Sequence, residues 1–172
     1  MSELDDFRRD KDEFFKHDRQ SPLTREQKAA FTGLNYFPEN PALRLEVAVE
    51  PAETPETVQM QTSTGDVQAY QKYGRFKFTV EGQEAELTIY AGDYGYFLPF
   101  ADALAGSETY GAGRYLEPEP AAEGKFLVDF NVAYNPYCAY NINWSCPIPP
   151  KENRLTVAIR AGEKVFEGAT HE

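Results

Sequence analysis

The residues best able to do chemistry are concentrated between Asp129 and Leu155, in DFNVAYNPYCAYNINWSCPIPPKENRL. This run holds both cysteines, the only tryptophan, three tyrosines, five asparagines and the trio Glu152-Asn153-Arg154. Seven residues separate Cys138 from Cys146, and the only histidines, His17 and His171, lie near the ends of the sequence. A tetrahedral zinc site needs four nitrogen or sulfur ligands, usually with close cysteine pairs, so this pattern argues against a metal. A thiol nucleophile needs an adjacent base or an electropositive setting. With no histidine nearby, Asp129, Glu152 or a tyrosine would have to serve Cys138. A disulfide would stabilise the loop, but a cytosolic chain keeps its thiols reduced, and buried free cysteines pack as small apolar groups.

Glu152-Asn153-Arg154 follows Pro147-Ile148-Pro149-Pro150. Proline restricts the approach, which holds the polar side chains in defined directions at low entropic cost. The same side chains can instead satisfy loop amides and pair with a carboxylate. Thr109 to Tyr115, TYGAGRY, forms a second dense patch. Its glycines suggest tight turns, and Arg114 offers a fork for an anion, with Asp102 and Glu108 as its partners or as acid and base. The patch lacks the strand, loop and helix context of a phosphate-binding motif.

These groups need elements to position them. Ser2 with Asp5 resembles a capping box, and Leu4, Phe7, Phe14 and Phe15 fall near one face of an amphipathic helix over residues 3 to 18. Thr24 with Gln27 is a second capping box, so a short helix is predicted over 25 to 31, with Gly33 as its stop. From Leu43 the pattern changes to period two between turn signals, which predicts antiparallel strands. A two-residue turn at Glu81-Gly82 places Phe78 opposite Ala85, Phe76 opposite Leu87 and Lys77 opposite Glu86. A preceding hairpin pairs 57 to 62 with 67 to 73, and further strands are predicted at 112 to 117, 125 to 131 and 154 to 160. Such spacing suits a meander that curls on itself. The expected fold is mainly β (α+β): an antiparallel β-barrel or strongly curled sheet with N-terminal helices. It is one domain over 1 to 172, with a helical segment at 1 to 33 and a β-rich body at 34 to 168.

The 172 residues suffice for a core that removes roughly 70% of the unfolded chain's surface from water. Against 17 Lys and Arg stand 28 Asp and Glu, a net charge of -11 that opposes binding to nucleic acid or anionic lipid. Residues 1 to 20 lack the basic flank and apolar core of an export signal, and no window approaches a membrane span, so a cytoplasmic location is expected. The residues name no cofactor and leave the oligomeric state open.

SPLT, GLNYFP, YFLPF, ETYGAGRYL, DFNVAYNPYCAY and CPIPPKENRL together resemble the uncharacterised prokaryotic family catalogued as domain of unknown function number sixteen eighty-four. The resemblance runs from about residue 5 to Phe166, the last three motifs are specific, and Ala112 standing where a second glycine is usual is a small departure. The family brings no activity with it; the resemblance implies that the two dense patches form one signature converging on a pocket. The expected function is recognition of a small polar or anionic molecule by Tyr110, Arg114, Asn131, Tyr134, Asn135, Tyr140, Glu152 and Arg154. The alternatives are an enzyme of hydrolase or thiol-redox type, using Cys138 or a carboxylate such as Glu152 or Asp129, and a structural or interaction protein.

Overall fold

The computed structural model describes residues 3–93, 95–141 and 144–167. The Ser2 cap and His171 lie outside them. Helix α1 spans Glu3–His17 and α2 spans Arg25–Ala30, one residue shorter than predicted. Thr24 and Gln27 exchange both capping hydrogen bonds at the start of α2, and Phe31 is already extended at its end. Strands follow as β1 (Arg44–Ala48), β2 (Glu50–Gln61), β3 (Val67–Val80), β4 (Gln83–Gly92), β5 (Gly95–Phe100), β6 (Arg114–Leu116), β7 (Glu119–Pro120) and β8 (Lys125–Asp129).

Both predicted hairpins form, the second in the predicted register. Thr57 pairs with Gln71 and Gln61 with Val67 across the first; Phe76 faces Leu87, Lys77 faces Glu86 and Phe78 faces Ala85 across the second. Period two explains this, since a slip of one residue would turn the aromatic face outward. Glu81 and Gly82 both have positive φ, 49° and 81°, as a type I′ turn requires. Glu81 has no glycine-like freedom there, so Glu81→Asn is expected to raise stability by about 0.5 to 1 kcal/mol in urea denaturation. A loss of stability would show that the turn is of another type.

Five strands form one antiparallel sheet in the order β2-β3-β4-β5-β6, and three form a second in the order β1-β8-β7. Phe76, Phe78, Leu87, Ile89, Leu98 and Phe100 of the first sheet pack with Val47, Phe126 and Val128 of the second, and with Phe130, Val157 and Ile159. Phe15, Leu23, Phe31, Leu34 and Tyr140 form a second cluster beneath the helices.

The expected barrel or strongly curled sheet does not form. Its two would-be closing edges are taken by the long loop instead. Tyr134 exchanges backbone hydrogen bonds with Tyr115 on β6, at 2.8 and 3.0 Å. At the far edge, Ile148 N–H donates to Gln61 O at 2.8 Å and Ser63 N–H to Cys146 O at 3.0 Å, beside β2. An edge strand satisfied in this way has no need of closure.

The strand predicted at 154 to 160 is also absent. Val157, Ile159 and Ala161 alternate inward as strand residues would. Their backbone partners, however, come from elsewhere. Leu155 N–H donates to Ala101 O and Ala103 N–H to Val157 O. Ile159 N–H donates to the Asp102 carboxylate, and the carbonyls of Ile159 and Ala161 accept from the Arg114 guanidinium. Two side chains stand where a neighbouring strand would be.

Candidate functional site

Helix α1 lies across the loop from Tyr134 to Cys146, and a cleft of about 690 Å³ opens between them. Phe7, Phe14 and Phe15 come from α1, Tyr115 from β6, and Tyr134, Pro136, Tyr137 and Trp144 from the loop. Tyr137 meets Trp144 edge-on with ring centroids 5.2 Å apart, and Tyr115 meets Tyr134 at 5.9 Å. Besides the tyrosines, the polar side chains at the wall are Asp10, Lys11, Ser145 and the Cys146 thiol. Phe7 and Trp144, 45% and 40% exposed, stand at the rim. Trp144 is held there by its indole N–H, which donates to Pro22 O at 3.3 Å.

A buried carboxylate beneath the cleft fixes α1. Glu163, 2% exposed, accepts hydrogen bonds from the Lys11 ammonium and the Tyr140 hydroxyl. Lys11 Nζ also sits 4.9 Å over the Tyr134 ring. Burial first, and then the Glu163 charge, push the Tyr140 phenol well above its ordinary value, so it remains a donor. Asp12 accepts from Leu34 N–H and the Tyr36 hydroxyl, each at 3.1 Å. Lys16 reaches the carbonyls of Lys28 and Phe31 at 3.1 Å. The α1 wall is thus pinned at three residues over two successive turns.

Arg114 is not free to hold a ligand. It is 1% exposed, and its guanidinium donates to the carbonyls of Ile159 (2.9 Å), Ala161 and Glu163 (3.1 Å). The Asp102 carboxylate lies 3.7 Å away and also accepts from the Thr109 hydroxyl at 2.8 Å. Burial lowers the Arg114 pKa to about 10, against the pull of Asp102 and Glu163, which leaves it a cation at neutral pH. The carbonyls converge on Arg114 through Gly162, whose φ is +80°. A Cβ there would lie 2.7 Å from both Phe130 O and Ala133 O. Gly162→Ala is therefore expected to destabilise the protein by about 2 kcal/mol or more in thermal or urea unfolding. A neutral result would mean that the 161 to 163 turn rearranges freely.

The two cysteines sit at the inner end of the cleft beside Tyr110 and Tyr115. Both are free thiols, and Cys138 N–H donates to Cys146 Sγ at 3.3 Å. The Tyr110 hydroxyl is 3.7 Å from Cys138 Sγ. Hydrogen bonding from the Cys146 thiol, opposed by burial and aided by Tyr110 and Ser63, draws Cys138 down to about 6. The same contact, together with burial, pushes Cys146 up.

Of the residues singled out in sequence, Tyr110, Tyr134 and Cys138 come together around the cleft and its inner end, while Asn135 and Tyr140 lie behind it. Asn135 N–H points at Glu163 at 3.4 Å and its amide donates to Lys164 O at 3.0 Å. The others are elsewhere. Glu152 accepts from the Tyr90 hydroxyl and pairs with Lys72 at 3.1 Å. Asp129 caps the turn at Asn131, whose side chain exchanges hydrogen bonds with the Asn40 backbone. Arg154 is exposed. Sequence reasoning did not select Lys11, Trp144 or Cys146 at the wall, nor Glu163 beneath it. The available signal was an excess of aromatics on α1 for so short a helix, of which only Phe15 is fully buried.

Among the described residues no helix is long and apolar enough to cross a membrane, and no group of three or more His, Cys, Asp and Glu could hold a metal ion. No curated protein matches the chain. Its structure resembles the solution NMR structure of an uncharacterised protein of Haloarcula marismortui. The sequences are 38% identical, the match covers 94% of this chain and 91% of that one, and the TM-score is 0.70. The profile of a family described as "Protein of unknown function (DUF1684)" matches residues 29–164, which contain every cleft residue except those of α1. The chain belongs to the DUF1684 family.

Proposed function

We propose that the protein binds a small molecule in the cleft between α1 and the 134 to 146 loop, a ligand with a flat apolar body and one polar end. The carrying observation is a volume of about 690 Å³ walled by rings from three separate elements, with Asp10, Lys11, Ser145 and Cys146 the only non-aromatic polar side chains among the described lining residues. Small-molecule sites typically span about 300 to 1,000 Å³ and pair apolar walls with a few placed polar groups. The polar or anionic ligand expected from sequence relied on Arg114 as its fork, and Arg114 is already satisfied by backbone carbonyls and Asp102. Lys11, at the wall, already pairs with Glu163, so an acidic end of the ligand would meet only the remaining donors of its ammonium. A net charge of -11 supports a partner that is neither nucleic acid nor anionic membrane.

The test is a screen of aromatic and aryl-acid fragments by two-dimensional NMR, with Trp144 fluorescence as a second readout. Hits should shift resonances of Trp144, Tyr134 and Phe14. Phe7→Glu changes an exposed side chain, so the fold should persist while affinity falls at least tenfold. Hits that map instead to β2 and β3, or affinities untouched by Phe7→Glu, would overturn the reading.

A further inference from the structure

The cysteines carry an inference independent of the ligand reading. Each is held by its own backbone, so their adjacency needs no bond between them. Cys138 lies in the tight turn Tyr137–Ala139. Cys146 is fixed to the β2–β3 turn, its N–H donating to Ser63 Oγ at 3.2 Å and its carbonyl accepting from Ser63 N–H at 3.0 Å. Cys138 N–H then reaches Cys146 Sγ at 3.3 Å, and Cys146 opens onto the cleft. Other polar groups around them are the Tyr110 hydroxyl on Cys138 and the Ser63 hydroxyl beside Cys146. Among the described residues the two thiols belong to no group of three or more His, Cys, Asp and Glu that could hold a metal ion.

We infer that Cys138 and Cys146 form a reversible dithiol and disulfide couple that exchanges with low-molecular-weight disulfides entering by the cleft. One protein thiolate attacks a sulfur of the incoming disulfide, forming a mixed disulfide and releasing one thiolate. The second protein thiol loses its proton and attacks the protein sulfur of that mixed bond, releasing the other. Two electrons pass from the protein sulfurs to the substrate, two protons follow them, and two small thiols leave. Once ionised the pair shares one proton across the hydrogen bond from Cys146 to Cys138, so Cys146, the sulfur an incoming reagent meets at the cleft wall, attacks as its proton passes to the Cys138 thiolate behind it. Donors around Cys138 favour its thiolate, the form that exchange requires. Alkylation by iodoacetamide should accordingly hold its rate from pH 8 down to about pH 7 and fall as pH drops through about 6. An ordinary thiol would already be slowing below about pH 8.5.

The deciding experiment equilibrates the folded protein with reduced and oxidised glutathione at graded ratios, quenches with acid, alkylates and weighs the products. The expected product is a protein lighter by two hydrogens, reversed by reductant, with a matching change in fluorescence of the single tryptophan, Trp144. Cys138→Ser should instead accumulate glutathione on Cys146, because nothing remains to resolve it. Wild-type protein that stops at the mixed disulfide, or thiols that react only after denaturant is added, would overturn the inference. Should Cys138→Ser fail to fold, the wild-type titration alone decides.

Discussion

Replacing Arg114 with alanine is expected to cost the protein about 3 to 5 kcal/mol, a large part of a typical domain's stability. The change leaves Asp102 buried without its cation and removes donors from the carbonyls of Ile159, Ala161 and Glu163. Lysine should not rescue it, since an ammonium is a point charge and cannot reach three carbonyls with the fixed fork of a guanidinium. Urea denaturation of the two variants checks this. A loss under about 1 kcal/mol would show that water takes over the contacts and that the 155 to 163 segment is held by its apolar side chains alone. The sequence alone instead suggests Arg114 as a fork for an anion.

Glu163→Ala should cost about 3 kcal/mol, because it leaves the Tyr140 hydroxyl and the Lys11 ammonium without their common acceptor beneath the cleft. Glu163→Gln keeps an acceptor for Tyr140 and should cost less. The effect should be concentrated in α1, where amide hydrogen exchange is expected to accelerate while the β3–β4 hairpin retains its protection. Uniform acceleration through both would mean that α1 and the sheet unfold as one unit, and would remove the carboxylate's special place under the helix.

The β3–β4 hairpin was legible because its register rests on local information: period-two alternation and a turn in which Gly82 suits positive φ. The stretch after Arg154 shows the same alternation and makes no ladder, because beyond the backbone of Ala101 and Ala103 its partners are the side chains of Asp102 and Arg114, some fifty residues away in sequence. Alternation records which side chains face inward; it does not record what the backbone bonds to. The candidate site divides in the same way. Tyr134, Tyr110 and Cys138 could be read from the density of unusual residues around them. The α1 wall could not, since Phe7 and Phe14 fit a helix that buries one face, and only the folded arrangement leaves Phe7 at the rim. Glu163 lies in a plain AGEKVF segment, and its burial depends on Lys11 and Tyr140 arriving from distant parts of the chain.

The loop that borders both β2 and β6 has a consequence for synthesis on the ribosome. Contacts between β2 and β3 and between β3 and β4 are local, so that meander can form soon after it emerges. Its edges stay uncovered until Tyr134 and then Cys146 to Ile148 arrive; the hydroxyls of Thr62 and Ser145, which join across this border, are 83 residues apart. For the time taken to translate that interval, the nascent chain exposes unpaired strand backbone that other nascent chains could adopt. A stall between residues 100 and 134 should therefore yield aggregates, whereas release of all 172 residues should yield soluble protein.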